Sequence, residues 1–126
     1  MLDLTVTLIR LLNGIAYTDV EFPDADAKMP RITLTEVSNI TDFSVDGKER
    51  ISEITYQVDV WDRGGCRQEV ERIAAEASRV LTQQNYTRVM GRSMRDPSGL
   101  QRKTMYFRGY FLENEKRRID VYKRQV

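Results

Sequence analysis

The sequence predicts an α+β domain: a mostly antiparallel four-stranded sheet with an N-terminal helix and a central helix packed on one face. Three observations carry this reading. ISEITYQVDVW alternates with period two, placing Ile54, Tyr56, Val58 and Val60 on one face and Glu53, Thr55, Gln57, Asp59 and Trp61 on the other. The segment after Gly65 sets Val70, Ile73, Ala74, Ala77, Val80 and Leu81 on a single helical stripe. The elements run helix, strand, strand, helix, strand, strand, an order that favours antiparallel neighbours over repeated βαβ units.

Each element has a local cause. In LDLTVTLIRLLNGI the apolar residues Leu4, Leu8, Leu11, Leu12 and Ile15 recur at helical spacing, with Asp3 placed to favour the N-terminus and Asn13-Gly14 to stop the helix. YTDVEFPDADAKMP is acidic and holds two prolines, so an irregular crossing is expected. RITLTEVSNI follows Pro30 and is rich in β-branched residues, as strands are. TDFSVDGKER reads as a polar excursion with Asp46-Gly47 at its tip, a hairpin signal. Gly64 and Gly65 are expected to supply positive φ between strand and helix. Along that helix, Arg72–Glu76 and Glu76–Arg79 are expected to pair on the solvent side. Asn85 closes the helix, YTRVMGRSM forms a third strand and DPSG (Asp96 to Gly99) a turn. RKTMYFRGYFLE forms a fourth strand, with Met105, Phe107 and Phe111 on one face and Tyr106, Arg108 and Tyr110 on the other.

At 126 residues the chain has room for one domain. No apolar run approaches the roughly 18–20 residues of a membrane span, and no secretion signal is read, so no membrane partner is expected. The lone Cys66 excludes an internal disulfide and suits a reducing cytosol. The chain has no histidine, which removes Ser–His triads and His–Zn sites from its own repertoire. Charge is divided unevenly. Residues 1–85 carry 9 Lys+Arg against 15 Asp+Glu, a net −6, and residues 86–126 carry 11 against 4, a net +7. Oppositely charged regions suit either nucleic-acid binding or self-association.

No residue set amounts to a catalytic or cofactor site. The strand–glycine–helix junction W-D-R-G-G-C-R matches neither a P-loop nor a dinucleotide fingerprint. Cys66 stands at the helix start without a partner base. Asp59 and Glu53 lie far apart along the strand and are read as acids on an exposed face. Trp61 is either buried under a loop or a packing anchor for a partner. The candidate assembly interface comprises Trp61, Arg63, Arg102, Arg108 and Tyr110. An alternative function is a small nucleic-acid-binding module, using Arg88, Arg92, Arg95, Arg102, Lys103 and Arg108 interleaved with Tyr86, Tyr106 and Tyr110. It lacks any RNP, KH or helix-turn-helix signature.

The token Y-Q-V-D-V-W (Tyr56 to Trp61), followed by a glycine turn and an amphipathic helix, resembles tail completion proteins of long-tailed bacteriophages, also called tail terminator or head–tail joining proteins. The leading helix, P-R-I-T-L-T-E-V before the central strand and the M-Y-F-R-G strand after the DPSG turn fit in the same order, over about residues 2–112. The resemblance implies a non-enzymatic virion protein without cofactors. It would assemble in the host cytoplasm as a hexameric ring that caps the tail tube and joins it to the head connector. Its partners would be copies of itself, the tail tube protein and a head-completion or connector protein, with DNA only as passing cargo.

DVYKRQ (Asp120 to Gln125) is what GAT-GTG-TAT-AAG-AGA-CAG encodes, a match to the mosaic-end adapter of transposase-based sequencing libraries. The domain is therefore read as residues 1–119, with residues 120–126 a non-native tail that packs poorly. Without that tail the region beyond Asn85 still carries +6.

Overall fold

The alternating segment is the spine of the sheet. The computed structural model describes residues 4–24, 26–45, 49–114 and 119–121, with side chains described over 4–24, 26–41 and 51–112. The elements are α1 (Thr5–Asn13), β1 (Tyr17–Asp19), β2 (Arg31–Val45), β3 (Glu49–Asp62), α2 (Arg67–Gln83), β4 (Thr87–Arg95), β5 (Gln101–Asn114) and β6 (Ile119–Val121). The sheet runs β1-β2-β3-β5-β4, and β6 pairs with β5 beyond the end of β4. All pairings are antiparallel except β1 with β2.

The α+β class and the two helices stand as predicted, but the sheet is mixed and larger than four strands. The acidic crossing contributes the parallel strand β1. Its three residues are too few to show a period. They are held by other means: Asn13 Oδ1 accepts the Thr18 amide at 3.1 Å, and Arg31 lies 4.5 Å over the Tyr17 ring and 3.7 Å from Asp19. Thr41 to Val45 and Glu49 to Arg50 belong to the strands and not to an excursion. β2 and β3 stay paired as far as Val45 and Glu49, and the Asp46-Gly47 tip lies outside the described residues. Bulges interrupt β2 between Glu36 and Ser38 and between Thr41 and Phe43, and β4 between Arg88 and Met90.

The core forms where the period-two and helical stripes meet. Ile54, Tyr56, Val58 and Val60 are fully buried, together with Ile73 and Leu81 of α2 and Leu12 of α1. Both helices therefore cover the same sheet face. Leu11, by contrast, is 37% exposed, at the margin of the α1 stripe. Gly109 in β5 makes room for aromatic packing: a Cβ there would sit 2.6 Å from Phe111 and 3.0 Å from Tyr86.

The helix ends are set by specific groups. α2 stops in a Schellman arrangement, with Tyr86 N–H donating to Leu81 O and Asn85 N–H to Thr82 O, while Asn85 adopts φ +68°. α1 ends at Asn13 with Gly14 still right-handed at φ −68°, so the glycine's special freedom is not what ends it. Asp3 lies outside the described residues. Gly64 and Gly65 do not take positive φ either; among glycines with described backbone, Gly99 does, at +88° in the DPSG turn. The strand–helix corner closes instead through Cys66 N–H to Arg63 O and Arg63 N–H to Asp62 Oδ1. What Gly64 allows is close approach, since a Cβ there would stand 3.2 Å from Gly99 O. On α2, Arg72 pairs with Glu69 in the first turn rather than with Glu76, which is left to Arg79 at 3.0 Å.

Among the described residues no helix is long and apolar enough to cross a membrane. The backbone of Asp120 and Val121 pairs with Leu112 and Phe111, and Tyr122 to Val126 lie outside the described residues.

Candidate functional site

The sheet face away from the helices carries the polar half of the alternation. Register aligns it in rows: Arg31, Trp61, Arg102 and Met94, then Thr33, Asp59, Thr104 and Arg92, then Thr35, Gln57, Tyr106 and Met90. Cross-strand neighbours on one face lie close enough to interact directly.

At the first two rows this face closes over a charge. Asp59 has no exposed surface, although a strand acid was expected to face solvent. Three neighbours replace water: Arg102 Nε donates to Oδ1 at 2.8 Å, Thr104 Oγ1 to the same oxygen at 2.5 Å, and Gln57 Nε2 to Oδ2 at 2.8 Å. Full satisfaction is what makes a buried carboxylate tolerable.

Arg102 also lies 4.5 Å above the Trp61 ring and 4.9 Å from that of Phe22. Its Nη1 reaches Asp96 Oδ1 at 3.4 Å. Burial favours the neutral acid at Asp96, but hydrogen bonds from Ser98 and the Arg102 charge outweigh it and hold the carboxyl below the usual range. Trp61 is buried at 2% exposure, its Nε1 donating to Thr33 Oγ1 at 2.9 Å and its ring 5.3 Å from Phe22. Phe22 comes from the acidic crossing and is itself 52% exposed. Of the two readings of Trp61, this geometry is that of a loop anchor.

The five candidate interface residues do not form one patch. Trp61 and Arg102 belong to the buried brace, and Arg63 is exposed on the strand–helix corner. Arg108 and Tyr110 occupy the same sheet face about 20–27 Å further along β5. There Arg108 Nε stands 3.3 Å from Glu53 Oε1, an ion pair without a hydrogen bond at that nitrogen.

The basic residues of the nucleic-acid alternative are dispersed as well. Lys103 points to the helix side and donates to Glu71 at 3.0 Å, Arg102 is spent on Asp59 and Asp96, and Tyr86 is in the core. Arg88, Arg92 and Arg95 remain exposed on β4.

Sequence reasoning missed Asp59 as the centre of the cluster and Phe22 as part of its lid. The Asp59 partners Arg102 and Thr104 lie 43 and 45 positions away on β5, and only strand register reveals them. Lys103 was separable earlier: it shares parity with Met105, so it belongs to the opposite face from Arg102. Among the described residues no group of His, Cys, Asp and Glu is arranged to hold a metal ion.

The fold is an α+β layer whose main polar cluster is saturated by its own side chains and braces the sheet from within. Over residues 8–111 the chain matches the family model of tail completion protein gp17, and it belongs to that family. It is thus a structural component of the bacteriophage virion, in a family that is not an enzyme class. The fold is similar to that of a chain in the virion of a native gene transfer agent (GTA) particle. That likeness has a TM-score of 0.62 at 12% identity and covers 83% of this chain and 89% of that one. No curated protein matches the chain in sequence.

Proposed function

We propose that this protein closes the phage tail: copies of it form a hexameric ring that caps the tail tube and joins it to the head connector. The observation that carries the reading is the pair of unlike strand edges at opposite sides of the sheet. Among the described residues nothing pairs with the outer edge of β2 beyond Thr33, or with the outer edge of β4. A head-to-tail ring needs two different, complementary surfaces on each subunit. Here β4 carries Arg88, Arg92 and Arg95, whereas Glu36 and the acidic crossing lie on the β2 side.

The partners on this reading are further copies of the chain, the tail tube protein and a head-completion or connector protein. Assembly takes place in the host cytoplasm, and DNA passes as cargo. The Trp61–Arg102–Asp59 brace keeps one end of the sheet stiff, while Arg63, Arg108 and Tyr110 offer side chains at the corner and on the open face.

The test is light scattering of the purified protein, at low and high salt, with and without tail tube protein. Ring-sized particles, or capture on tubes, are expected. A strict monomer that never binds tubes contradicts the proposal.

A further inference from the structure

The two open edges are matched in more than charge. Register carries one cross-strand row across the sheet from Glu36 through Tyr56 and Phe107 to Arg88. A bulge adjoins this row at each end. On β2 it falls between Glu36 and Ser38, leaving Val37 out of the ladder; on β4 it falls between Arg88 and Met90, leaving Val89 out. Each valine is 51% exposed, so both edges present an apolar side chain at the same level of the sheet.

Glu36 and Arg88, aligned through Tyr56 and Phe107, project from the same side of the sheet as the helices, and both are exposed. Among the described residues Glu36 accepts from Asn39 at 3.0 Å and neither Glu36 nor Arg88 makes an ion pair. Edge strands are ordinarily protected by lysine, proline or an inward charge. A bulge also interrupts a ladder, but a half-exposed valine does nothing to discourage contact.

We propose that the β4 edge of one copy docks on the β2 edge of the next, with Val89 against Val37 and Arg88 paired to Glu36. The occupant of each edge is therefore a second copy of this chain. Because the two ends of the row stand at one level, a rotation brings them together without a shift along the strands. With the rotation axis along the strands, the absence of a shift lets a ring close instead of growing a filament. The Val37–Val89 contact gives the seam a dry centre, and the charge pair gives it direction, since Glu36 meets Glu36 and Arg88 meets Arg88 in any other pairing of these edges. The inference rests on the ring reading and names its seam.

Charge exchange tests it. Glu36→Arg and Arg88→Glu, each alone, should weaken assembly at low salt at least about tenfold, as like charges facing across an interface do. The double variant Glu36→Arg with Arg88→Glu should recover most of that loss. Both positions are on the surface, and circular dichroism will show whether the single variants are folded. A second measurement is independent of charge. With Cys66→Ser as background, the Val37→Cys, Val89→Cys double variant should oxidise into a ladder of covalent multimers.

A native chain that assembles while both single charge variants assemble equally well overturns the seam and leaves the ring standing. So does disulfide dimerisation of Val37→Cys alone, which would mean like edges meet. A native chain that never assembles, free or on tail tubes, removes the ring reading itself.

Discussion

The guanidinium of Arg102 lies 4.5 Å over the indole of Trp61 while its Nε donates to Asp59 at 2.8 Å. One side chain thus closes a hydrophobic contact and neutralises a buried charge. Removing it should be costly for the second reason more than the first. Arg102→Ala leaves Asp59 charged with two neutral donors in a dry site, and should lower stability by about 3 kcal/mol, the low end for a broken buried pair because Arg102 retains some solvent contact. Arg102→Lys keeps the charge but loses the planar fork, so it should fall between the two. Urea unfolding of the three proteins checks the order. An Arg102→Ala protein as stable as the native one would mean that Asp59 is not held by this pair.

Trp61→Ala should act on folding rather than on assembly, because the indole is 2% exposed and its Nε1 is bonded inside the protomer. A loss of about 3 kcal/mol or more is expected from the cavity and the lost ring contacts. Unchanged thermal stability would contradict the loop-anchor role of this residue.

Tyr86 and Gly109 give predictions of opposite sign at one place in the core. The Tyr86 hydroxyl is buried with no hydrogen-bond partner among the described residues, and burial pushes its ionisation well above the ordinary tyrosine range, with Tyr56 and Glu36 adding to it. Tyr86→Phe removes that unsatisfied group and should be neutral or stabilising by up to about 1 kcal/mol. Gly109→Ala drives a methyl to 2.6 Å from Phe111 and should cost about 1–3 kcal/mol. Chemical denaturation of both variants reads the signs directly; a stabilised Gly109→Ala would show that the rings have space to yield.

Ser93 and Lys103 fasten the α2 side of the sheet to Glu71, at 2.6 and 3.0 Å. The Ser93 hydroxyl first, and the Lys103 ammonium second, hold the Glu71 carboxyl below its ordinary 4.5. A depressed carboxyl pKa contributes stability above the unfolded value, and that contribution disappears as pH falls through the folded value. Ser93→Ala should therefore be less stable than the native protein at neutral pH. The gap should narrow as the solution is acidified from about pH 5 through the folded pKa of Glu71. A stability difference independent of pH would assign the effect to packing instead.

What the sequence revealed, it revealed through short-range periods. Ile54 to Val60 and the Val70–Leu81 stripe are legible because burial on one face repeats at two and at about 3.6 residues. Asn85 is legible because few residues other than glycine accept its left-handed turn. β1 was not legible, since three residues carry no period and the acids and prolines that follow Asp19 argue for a loop. Arg72 was expected on Glu76 and pairs with Glu69 instead, because helical spacing permits a partner at i−3 as well as at i+4. The Asp59–Arg102 pair lay furthest out of reach. Parity put both residues on one face, yet only the register of β3 with β5 makes them neighbours, and no pattern within either strand fixes it. The bulges at Val37 and Val89 likewise depend on partner strands.

The central claim is that this chain works by closing a ring on the end of a tail tube, and electron microscopy of tail tubes incubated with the purified protein tests it most directly. The account predicts a discrete ring of copies at one end of each tube, with neighbouring copies related by rotation alone. Tubes with bare ends, beside a protein that remains monomeric at every concentration and salt, would contradict it.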